Sequence, residues 1–339
     1  MASKIILDDA QNICDRINFD CLSDTTILVT GASGLIGTYF LACLSWLHEN
    51  GARIRVYAQM FSEPPPHTSE LVYRSGFEII KVNLADFAEY PRLPKADVII
   101  HSAGYAQPIR FMADPIATIQ INTSATIALL RRLRKNGRFL FLSSSEIYCG
   151  LENSLFQETA VGTTSPFHPR ASYIEGKRCG EAICNGYASQ GVHAPSVRLG
   201  DVYGPGTRKH DKRALNSFIE KGLCHHKIEL MDAGTATRTY CYVADAVELL
   251  WQILLYGKER VYNVGGRFTV TIAELAKMIG KIIGVRVIFP STKVAVPGAP
   301  KELRLDLTRV EKEFGKNKYV SLKEGLKKTI EWQRELYLQ

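Results

Sequence analysis

The 339-residue sequence lacks any apolar run long enough to span a bilayer, so nothing in it predicts a membrane protein. It also lacks the basic and then apolar beginning of a secretory signal, because Asp8, Asp9, Asp15 and Asp20 interrupt its start. The isoleucines between these aspartates instead predict a helical extension over 1–24 that packs on the body of the protein. Without a targeting signal, we expect a cytoplasmic protein.

The eight cysteines are scattered, and none forms a Cys-x-x-Cys pair or a cysteine/histidine set with the spacing of a zinc site. Internal repeats and low-complexity segments are absent as well. We therefore expect no bound metal, and we expect free thiols in a reducing compartment.

The charge balance is basic, and a formal net charge of +8 raises the question of a nucleic-acid partner. The densest basic run, 131–135, has no aromatic residues among its charges and matches no nucleic-acid motif. We interpret it as the solvated end of a helix over 115–135, where positive side chains complement the helix dipole. We expect no nucleic-acid partner, and a modest positive excess also suits an anionic small substrate.

Apolar, β-branched runs alternate with amphipathic stretches, a pattern typical of a parallel sheet with helices on both faces. The predicted strands lie at 26–30, 53–57, 77–82, 97–101, 138–143, 194–199 and 261–264. The predicted helices lie at 35–49, 115–135, 172–190, 214–222 and 271–283. The predicted fold is therefore α/β, a Rossmann-type doubly wound parallel sheet of about seven strands with a smaller C-terminal lobe.

The most informative segment is the glycine-rich turn Gly31–Gly37, which follows the first predicted strand and opens a helix. Strand, glycine turn and helix together predict a dinucleotide site. The glycines permit a tight turn and let the backbone approach a pyrophosphate, which the helix N-terminus attracts.

A second informative feature is the pair Tyr173 and Lys177, which lie one helical turn apart and share a helix face. A phenol held near an ammonium group and a nicotinamide can carry a proton, because nearby positive charge lowers its pKa. Tyr319 and Lys323 repeat this spacing, but they follow no fifth strand and we expect a solvated helix start there. With the dinucleotide site, Tyr173 and Lys177 indicate hydride chemistry on an alcohol.

These features, in this order, resemble the extended short-chain dehydrogenase/reductase family, and within it the nucleotide-sugar epimerase, dehydratase and decarboxylase group. The resemblance runs from Thr26 to Trp332. It is carried by the glycine turn, the Tyr173/Lys177 pair and the segments 101–104, 143–148, 198–205, 237–245 and 262–265.

The resemblance implies a dinucleotide-binding domain over 25–199 with a returning strand near 240–270, and a lobe over 200–339 that mainly binds a nucleotide-diphosphate sugar. The implied cofactor contacts are Gly31, Ser33, Gly34, Leu35, Ile36, Gly37, Asn83, Leu84, Ser102, Ala103, Gly104, Tyr173 and Lys177. The implied catalytic residues are Ser144, Ser145, Glu146, Tyr173 and Lys177. The implied substrate contacts are Tyr105, Asp201, Arg213 and Arg238.

The implied chemistry begins at C4 of the sugar. Ser144 would hydrogen-bond the C4 hydroxyl, Tyr173 would take its proton, and Lys177 would bind the nicotinamide ribose. Hydride transfer to NAD+ then gives a 4-keto sugar, which opens several routes. A non-catalytic nucleotide-binding regulator on the same fold is the alternative from a different class.

The residues after Ser144 separate these routes. The 4,6-dehydratases carry Asp-Glu there, whereas this chain has Ser145-Glu146, which disfavours dehydration. Simple 4-epimerases have small uncharged residues at both positions. UDP-glucuronate decarboxylases carry Ser-Thr-Ser-Glu, which is similar to 143–146, and the segment 169–178 also resembles theirs. Decarboxylation of a UDP-glucuronate-type substrate is thus the favoured reaction, with epimerisation, dehydration and C4 dehydrogenation as alternatives.

Two positions depart from the family pattern. Most members have Asn where this chain has Asp201, and an ionised carboxylate there would repel a diphosphate or a uronate. NAD-binding relatives end the second strand with Asp, whereas this chain has Ala58 or Gln59. Because no arginine follows directly to hold a 2′-phosphate, NAD is the expected cofactor and NADP the alternative.

We also expect a homodimer. The predicted helices 115–135 and 172–190 carry more apolar residues than one sheet face can bury, and family members commonly pair these helices between subunits. The residues concerned are Ile116, Ile119, Ile127, Ile183 and Tyr187.

Overall fold

The computed structural model describes residues 4–151, 155–290 and 304–338. Its strands are β1 (Thr25–Thr30), β2 (Ile54–Met60), β3 (Glu78–Lys81), β4 (Ala96–His101), β5 (Leu133–Ser144), β6 (Ser196–Leu199), β7 (Asp201–Tyr203), β8 (Lys227–Glu229), β9 (Thr237–Tyr242), β10 (Val261–Val264), β11 (Phe268–Thr271) and β12 (Arg286–Ile288). Its helices are α1 (Lys4–Cys14), α2 (Leu35–Glu49), α3 (Pro66–Arg74), α4 (Pro108–Ala113), α5 (Pro115–Asn122), α6 (Ser124–Leu130), α7 (Ala171–Ala188), α8 (Ala214–His225), α9 (Val243–Tyr256), α10 (Ile272–Ile283), α11 (Thr308–Phe314) and α12 (Leu322–Leu338). None of the helices in these ranges is long and apolar enough to cross a membrane.

The main sheet has seven strands in the order β3-β2-β1-β4-β5-β6-β10, all of them parallel. This confirms the predicted doubly wound sheet. Thr30 of β1 pairs with His101 of β4, and Ser144 of β5 pairs with Leu199 of β6. The carboxyl ends of the four central strands therefore lie at one edge, where doubly wound folds bind their ligands.

Side chains of the central strands alternate between two hydrophobic clusters on opposite faces of the sheet. Ile27 and Val29 of β1 belong to the larger cluster, together with residues of α1, α2 and α9. Leu28 points to the other face and belongs to a cluster with residues of α5, α6 and α7. Both faces are thus covered, which explains why these strands read as continuous apolar runs rather than as alternating ones.

The chain after β6 builds a smaller lobe on two small sheets. β9 pairs with β7 in parallel and with β11 in antiparallel orientation, and β8 pairs with β12 in parallel. Helix α10 begins with a capping box, in which Thr271 and Glu274 accept hydrogen bonds from each other's backbone N–H. Because β7 follows β6 directly, the lobe starts at the ligand-binding edge of the main sheet.

The predicted helix over 115–135 is interrupted at Thr123 and ends at Leu130, five residues earlier than predicted. The chain forms two shorter helices, α5 and α6, and β5 already begins at Leu133. The hydroxyls of Thr118, Thr123 and Thr126 donate to the carbonyls four residues earlier, a bond that competes with the helical ladder and bends helices.

The basic run 131–135 therefore begins at the exposed C-cap of α6 and continues into β5, rather than ending one long helix. Arg132 donates to the backbone carbonyls of Tyr90 and Pro91, and Arg134 forms an ion pair of 2.8 Å with Asp97. These bonds tie the beginning of β5 to the neighbouring loop and to β4.

Candidate active site

The glycine turn fits closely against the end of β4. Gly31 has a φ of +63°, and a Cβ added to it would lie 2.7 Å from the Cα of Ala103. A Cβ on Gly37 would lie 2.4 Å from the carbonyl oxygen of Gly31. Only glycine fits at these two positions, and the turn leads directly into α2, whose N-terminal N–H groups are free to bind phosphate.

Gln59 is the second-last residue of β2, and its buried side chain lies against the glycine turn. Its amide oxygen accepts from the N–H of Gly31 at 3.0 Å, and its amide nitrogen donates to the carbonyl of Val82 at 2.6 Å. A neutral amide thus stands where the NAD-binding pattern has a carboxylate. The sequence alone gave no reason to assign it this structural role.

The other predicted cofactor contacts lie around this turn, with different side-chain roles. Ser102 donates to the carbonyl of Thr30 at 2.5 Å, which joins β4 to β1. Asn83 uses its side-chain oxygen to accept from the N–H of Ala85, and the Leu84 side chain lies in the core. Only the backbone of Leu84 is therefore available to a ligand.

Lys177 lies at the centre of the site and is buried, with 5% of the residue exposed. Its Nζ donates to the carbonyl of Leu142 on β5 at 2.6 Å and lies over the rings of Phe141 and Tyr173. A Cβ on Gly104 would lie 3.6 Å from this Nζ. Tyr173 shares the face of α7 with Lys177, as the spacing predicts.

Ser144 ends β5 beside Tyr173. It is the N-cap of the 3-10 turn Ser145–Tyr148, where its hydroxyl accepts from the N–H of Glu146 at 3.2 Å. Ser144 and Tyr173 are both buried, and β5 and α7 hold them next to each other. The sequence prediction that these two residues and Lys177 converge is therefore met by the geometry.

Burial dominates the pKa values of Tyr173 and Lys177 in the protein alone. Burial raises the pKa of Tyr173 to about 12, and a hydrogen bond with Ser144 opposes this rise. Burial lowers the pKa of Lys177 to about 7, an effect that the nearby Glu181 opposes. In the protein alone, Arg170 and Arg213 lower the pKa of Tyr173 by their positive charge, but they do not offset its burial.

Glu146 is held by a partner that the sequence did not single out. Arg170, the residue before α7, forms an ion pair with the Glu146 carboxylate, and both side chains are 17% exposed. The Arg170 guanidinium lies 5.5 Å from the ring centre of Phe111. Phe111 in turn stacks on Tyr173, with ring centres 4.6 Å apart and planes at 13°. Burial raises the pKa of Glu146, and Arg170 opposes that shift.

A cavity of about 680 Å³ opens in front of these groups. The predicted site residues that line it are Ile36, Ser102, Gly104, Ser144, Ser145, Glu146, Tyr173, Lys177, Asp201, Arg213 and Arg238. Tyr105 is not among its lining residues and packs against the core cluster of α5–α7 instead. In the described ranges, no group of three or more His, Cys, Asp or Glu side chains is placed to hold a metal ion.

The far side of the cavity carries several charges. Arg213 pairs with Asp211 at 2.7 Å, and Arg238 lies beside it on β9. Asp201 exposes its carboxylate to the cavity, shielded by protein from bulk water. This desolvation raises the pKa of Asp201, and Arg238, Arg213 and Arg170 oppose the rise. No hydrogen bond to Asp201 occurs within the described part of the chain, so backbone donors do not neutralise it.

The second Tyr-x-x-x-Lys copy lies elsewhere. The predicted helix start at 319–323 contains the first residue of α12, Leu322, but Tyr319 itself precedes the helix and is not solvated. Its hydroxyl donates to Glu311 at 3.3 Å, and its ring is partly buried against the main core. Chain position therefore separates the two copies correctly.

Comparison with known proteins identifies the class. Residues 27–265 match the sequence model of the NAD dependent epimerase/dehydratase family, and the chain belongs to this family. It is an enzyme of the extended short-chain dehydrogenase/reductase type, with NAD as its cofactor.

The chain is similar to several individual members of this family. UDP-glucuronic acid decarboxylase 1 of Danio rerio is 30% identical over 316 residues, covering 91% of this chain and 73% of that protein. UDP-glucuronic acid decarboxylase 5 of Arabidopsis thaliana is 28% identical over 312 residues, covering 90% and 88%. The structure of UDP-glucose 4-epimerase from Thermotoga maritima, with UDP-glucose, superimposes with a TM-score of 0.79 at 24% identity and covers 93% of this chain and 100% of that one. This last similarity supports the fold.

The tight turn gives a test of the NAD site. Gly37→Ala places a methyl group against backbone atoms that cannot move aside, and overpacking of this kind costs about 1–3 kcal/mol. We expect NAD+ to bind about tenfold more weakly or worse, as measured by calorimetry. Gly186→Ala on α7 is the control, because its Cβ would meet no atom within 4 Å. Unchanged NAD+ affinity in Gly37→Ala would contradict the proposed turn geometry.

Proposed function

We propose that the protein is an NAD-dependent decarboxylase of a nucleotide-diphosphate uronic acid, of the UDP-glucuronate type. The observation that carries this proposal is the Glu146–Arg170 pair, which lies in the cavity next to Ser144 and Tyr173. Relatives named UDP-glucuronic acid decarboxylases match nearly the whole chain, which supports the same reaction. The lobe over 200–339 would hold the nucleotide sugar and 25–199 the dinucleotide.

The first step is oxidation at C4. NAD+ supplies a hydride acceptor and a positive ring when it is bound over the glycine turn. The Tyr173 phenolate takes the proton of the C4 hydroxyl, which Ser144 orients by a hydrogen bond. Lys177 holds the ribose and is kept in place by its bond to Leu142. A bound nicotinamide ring would add positive charge beside Tyr173, which would lower the pKa of its phenol.

The second step breaks the bond between C5 and C6. The C4 ketone withdraws the electron pair of this bond, and the carboxylate leaves as neutral carbon dioxide. The charge moves to the C4 oxygen, where the hydroxyls of Tyr173 and Ser144 donate hydrogen bonds. Glu146 lines the cavity next to Ser144 and Tyr173, so its charge beside a substrate carboxylate would favour loss of that negative group. Arg170 fixes the Glu146 carboxylate and opposes the rise in its pKa that burial causes. C5 would then take a proton from water. Tyr173 would return its proton to the C4 oxygen as the ketone is reduced, with the hydride supplied by the bound cofactor.

One observation favours a second candidate, a 4-epimerase of a neutral nucleotide sugar. Asp201 adds a carboxylate to the cavity without a hydrogen-bond donor, and such a group would accept well from a sugar hydroxyl. A panel of nucleotide sugars followed by mass spectrometry separates the candidates. Loss of carbon dioxide identifies decarboxylation, whereas an isomer of unchanged mass identifies epimerisation and loss of water identifies dehydration.

Tyr173→Phe tests the proton acceptor. The variant removes the phenol at C4, and general acid–base catalysis of this kind is worth about 10²–10⁴-fold in rate. We expect turnover to fall by that factor while NAD+ affinity changes little. Tyr319→Phe is the matched control and should retain wild-type turnover. If Tyr319→Phe lost activity and Tyr173→Phe kept it, the assignment of the pair would be wrong.

Glu146→Gln tests the second step. We expect the variant to reduce bound NAD+ on addition of substrate but to stall with a 4-keto sugar, since the charge that assists C5–C6 cleavage is gone. Near-ultraviolet absorbance follows the reduced cofactor and mass spectrometry follows the sugar. Glu78→Gln, which breaks an exposed pair with Arg55, is the control. Normal product at a nearly normal rate would refute the role given to Glu146.

Asp201→Asn tests the charge of the cavity. Ionised Asp201 repels a uronate and protonated Asp201 does not, so the KM of the wild type for UDP-glucuronate should rise as the pH rises. The variant should show a lower KM at neutral pH and a flatter pH profile. Glu146, Arg170, Arg213 and Arg238 face the same space and remain in both proteins. A KM that is unchanged, or raised, in the variant would argue for a neutral sugar as substrate.

We also propose a homodimer in the cytoplasm. Helices α4 and α5 expose Ile109, Met112, Ile116 and Ile119, while Ile127, Ile183 and Tyr187 are half-buried. An apolar surface of this kind suits pairing with a second copy. Sedimentation as a monomer at micromolar concentration would refute the dimer.

The eight cysteines are free thiols, which suits the reducing compartment proposed here, the cytoplasm.

A further inference from the structure

A loop of the C-terminal lobe reaches across to the glycine turn. The loop 204–213 joins β7 to α8, and its first residues are buried. A Cβ on Gly206 would lie 3.3 Å from Cδ1 of Leu35, so the loop packs directly on the first turn of α2. Trp332 fixes it from the other side, because its indole N–H donates to the carbonyl of Thr207 at 3.0 Å.

Arg208, in the same loop, binds the glycine turn directly through Ser33. Its Nη2 donates to the hydroxyl of Ser33 at 2.7 Å and to the carbonyl of Ser33 at 3.1 Å. Ser33 immediately precedes Gly34, the N-cap of α2. The guanidinium therefore lies beside the helix N-terminus that receives a dinucleotide phosphate.

The charge of Arg208 is not compensated in the described part of the chain. No carboxylate there pairs with it, and the charge that affects it is another cation, Arg110. Burial and Arg110 together lower the pKa of Arg208. His67 is neutral, since burial and Arg208 lower its pKa to about 4. The Arg208 cation beside a helix N-terminus forms a favourable site for an anion.

We propose that Arg208 binds a phosphate group of the dinucleotide cofactor. The planar guanidinium can keep one N–H on Ser33 and direct others to phosphate oxygens, which is the geometry that favours arginine at phosphates. In NAD this phosphate is one of the two of the pyrophosphate, which the glycine turn and the N-terminus of α2 are placed to receive. Because Arg213 of the same loop lines the cavity, one loop contacts both the cofactor and the sugar-nucleotide site.

The test measures binding, not turnover, so it does not depend on which reaction the enzyme performs. Arg208→Gln keeps an amide that can donate to Ser33 but removes the charge, and Arg208→Lys keeps the charge but loses the fork. Lys209→Ala is the control, because it removes one exposed positive charge from the same loop. Calorimetry gives the affinities for NAD+, NADP+ and adenosine, and thermal unfolding verifies that each variant is folded.

We expect Arg208→Gln to weaken NAD+ binding by about tenfold to a hundredfold, as for loss of a charge-assisted bond. Arg208→Lys should lose less, and adenosine should bind all variants equally. Equal losses for NAD+ and NADP+ support a contact with the pyrophosphate, whereas a loss confined to NADP+ would place Arg208 at the 2′-phosphate and overturn the proposal. NAD+ and NADP+ affinities in Arg208→Gln that both match those of Lys209→Ala would overturn the proposal, as would an equal loss for adenosine.

Discussion

The hydrogen bond from the buried ammonium of Lys177 to the carbonyl of Leu142 is the interaction on which the site depends. It fixes α7 to the end of β5, and so sets the distance between the Tyr173 phenol and the Ser144 hydroxyl. Burying an ammonium group is expensive, which is why the pKa of Lys177 falls to about 7. The carbonyl of Leu142 partly offsets this cost, because it accepts a hydrogen bond from the buried ammonium group. The same bond anchors α7 to the end of β5.

A second chain of contacts joins the chemistry at C4 to the chemistry at C5 and C6. Glu146 pairs with Arg170, Arg170 lies over Phe111, and Phe111 stacks on Tyr173. The two reacting regions are therefore held by one packed unit rather than by independent loops. A buried ion pair whose partner is removed leaves an uncompensated charge, so this unit is sensitive to a change at either end.

The glycine turn and the Tyr173/Lys177 pair could be read from the sequence because both depend on local geometry. A positive φ, a tight approach and a spacing of one helical turn each leave a mark in a short segment. The parallel sheet was also predictable, since both of its faces are buried and its strands are continuously apolar. The prediction of one helix over 115–135 was wrong because its end is set by contacts that the hydrophobic periodicity does not show. Its residues favour a helix by periodicity, but threonine side-chain bonds and the start of β5 end it early.

Partners far apart in the chain left no such mark. Arg170 follows Glu146 by 24 residues and Arg208 follows Ser33 by 175, and neither pairing has a spacing that a sequence pattern detects. Asp201 was noticed as an unusual residue, yet only the fold showed that it faces the cavity without a donor. The sequence by itself determined the family, the strand and helix framework and the cofactor turn, because these follow from local conformational preference and hydrophobic periodicity. The tertiary structure alone decided which charges meet, since electrostatic partners are set by distance in space and not by distance along the chain.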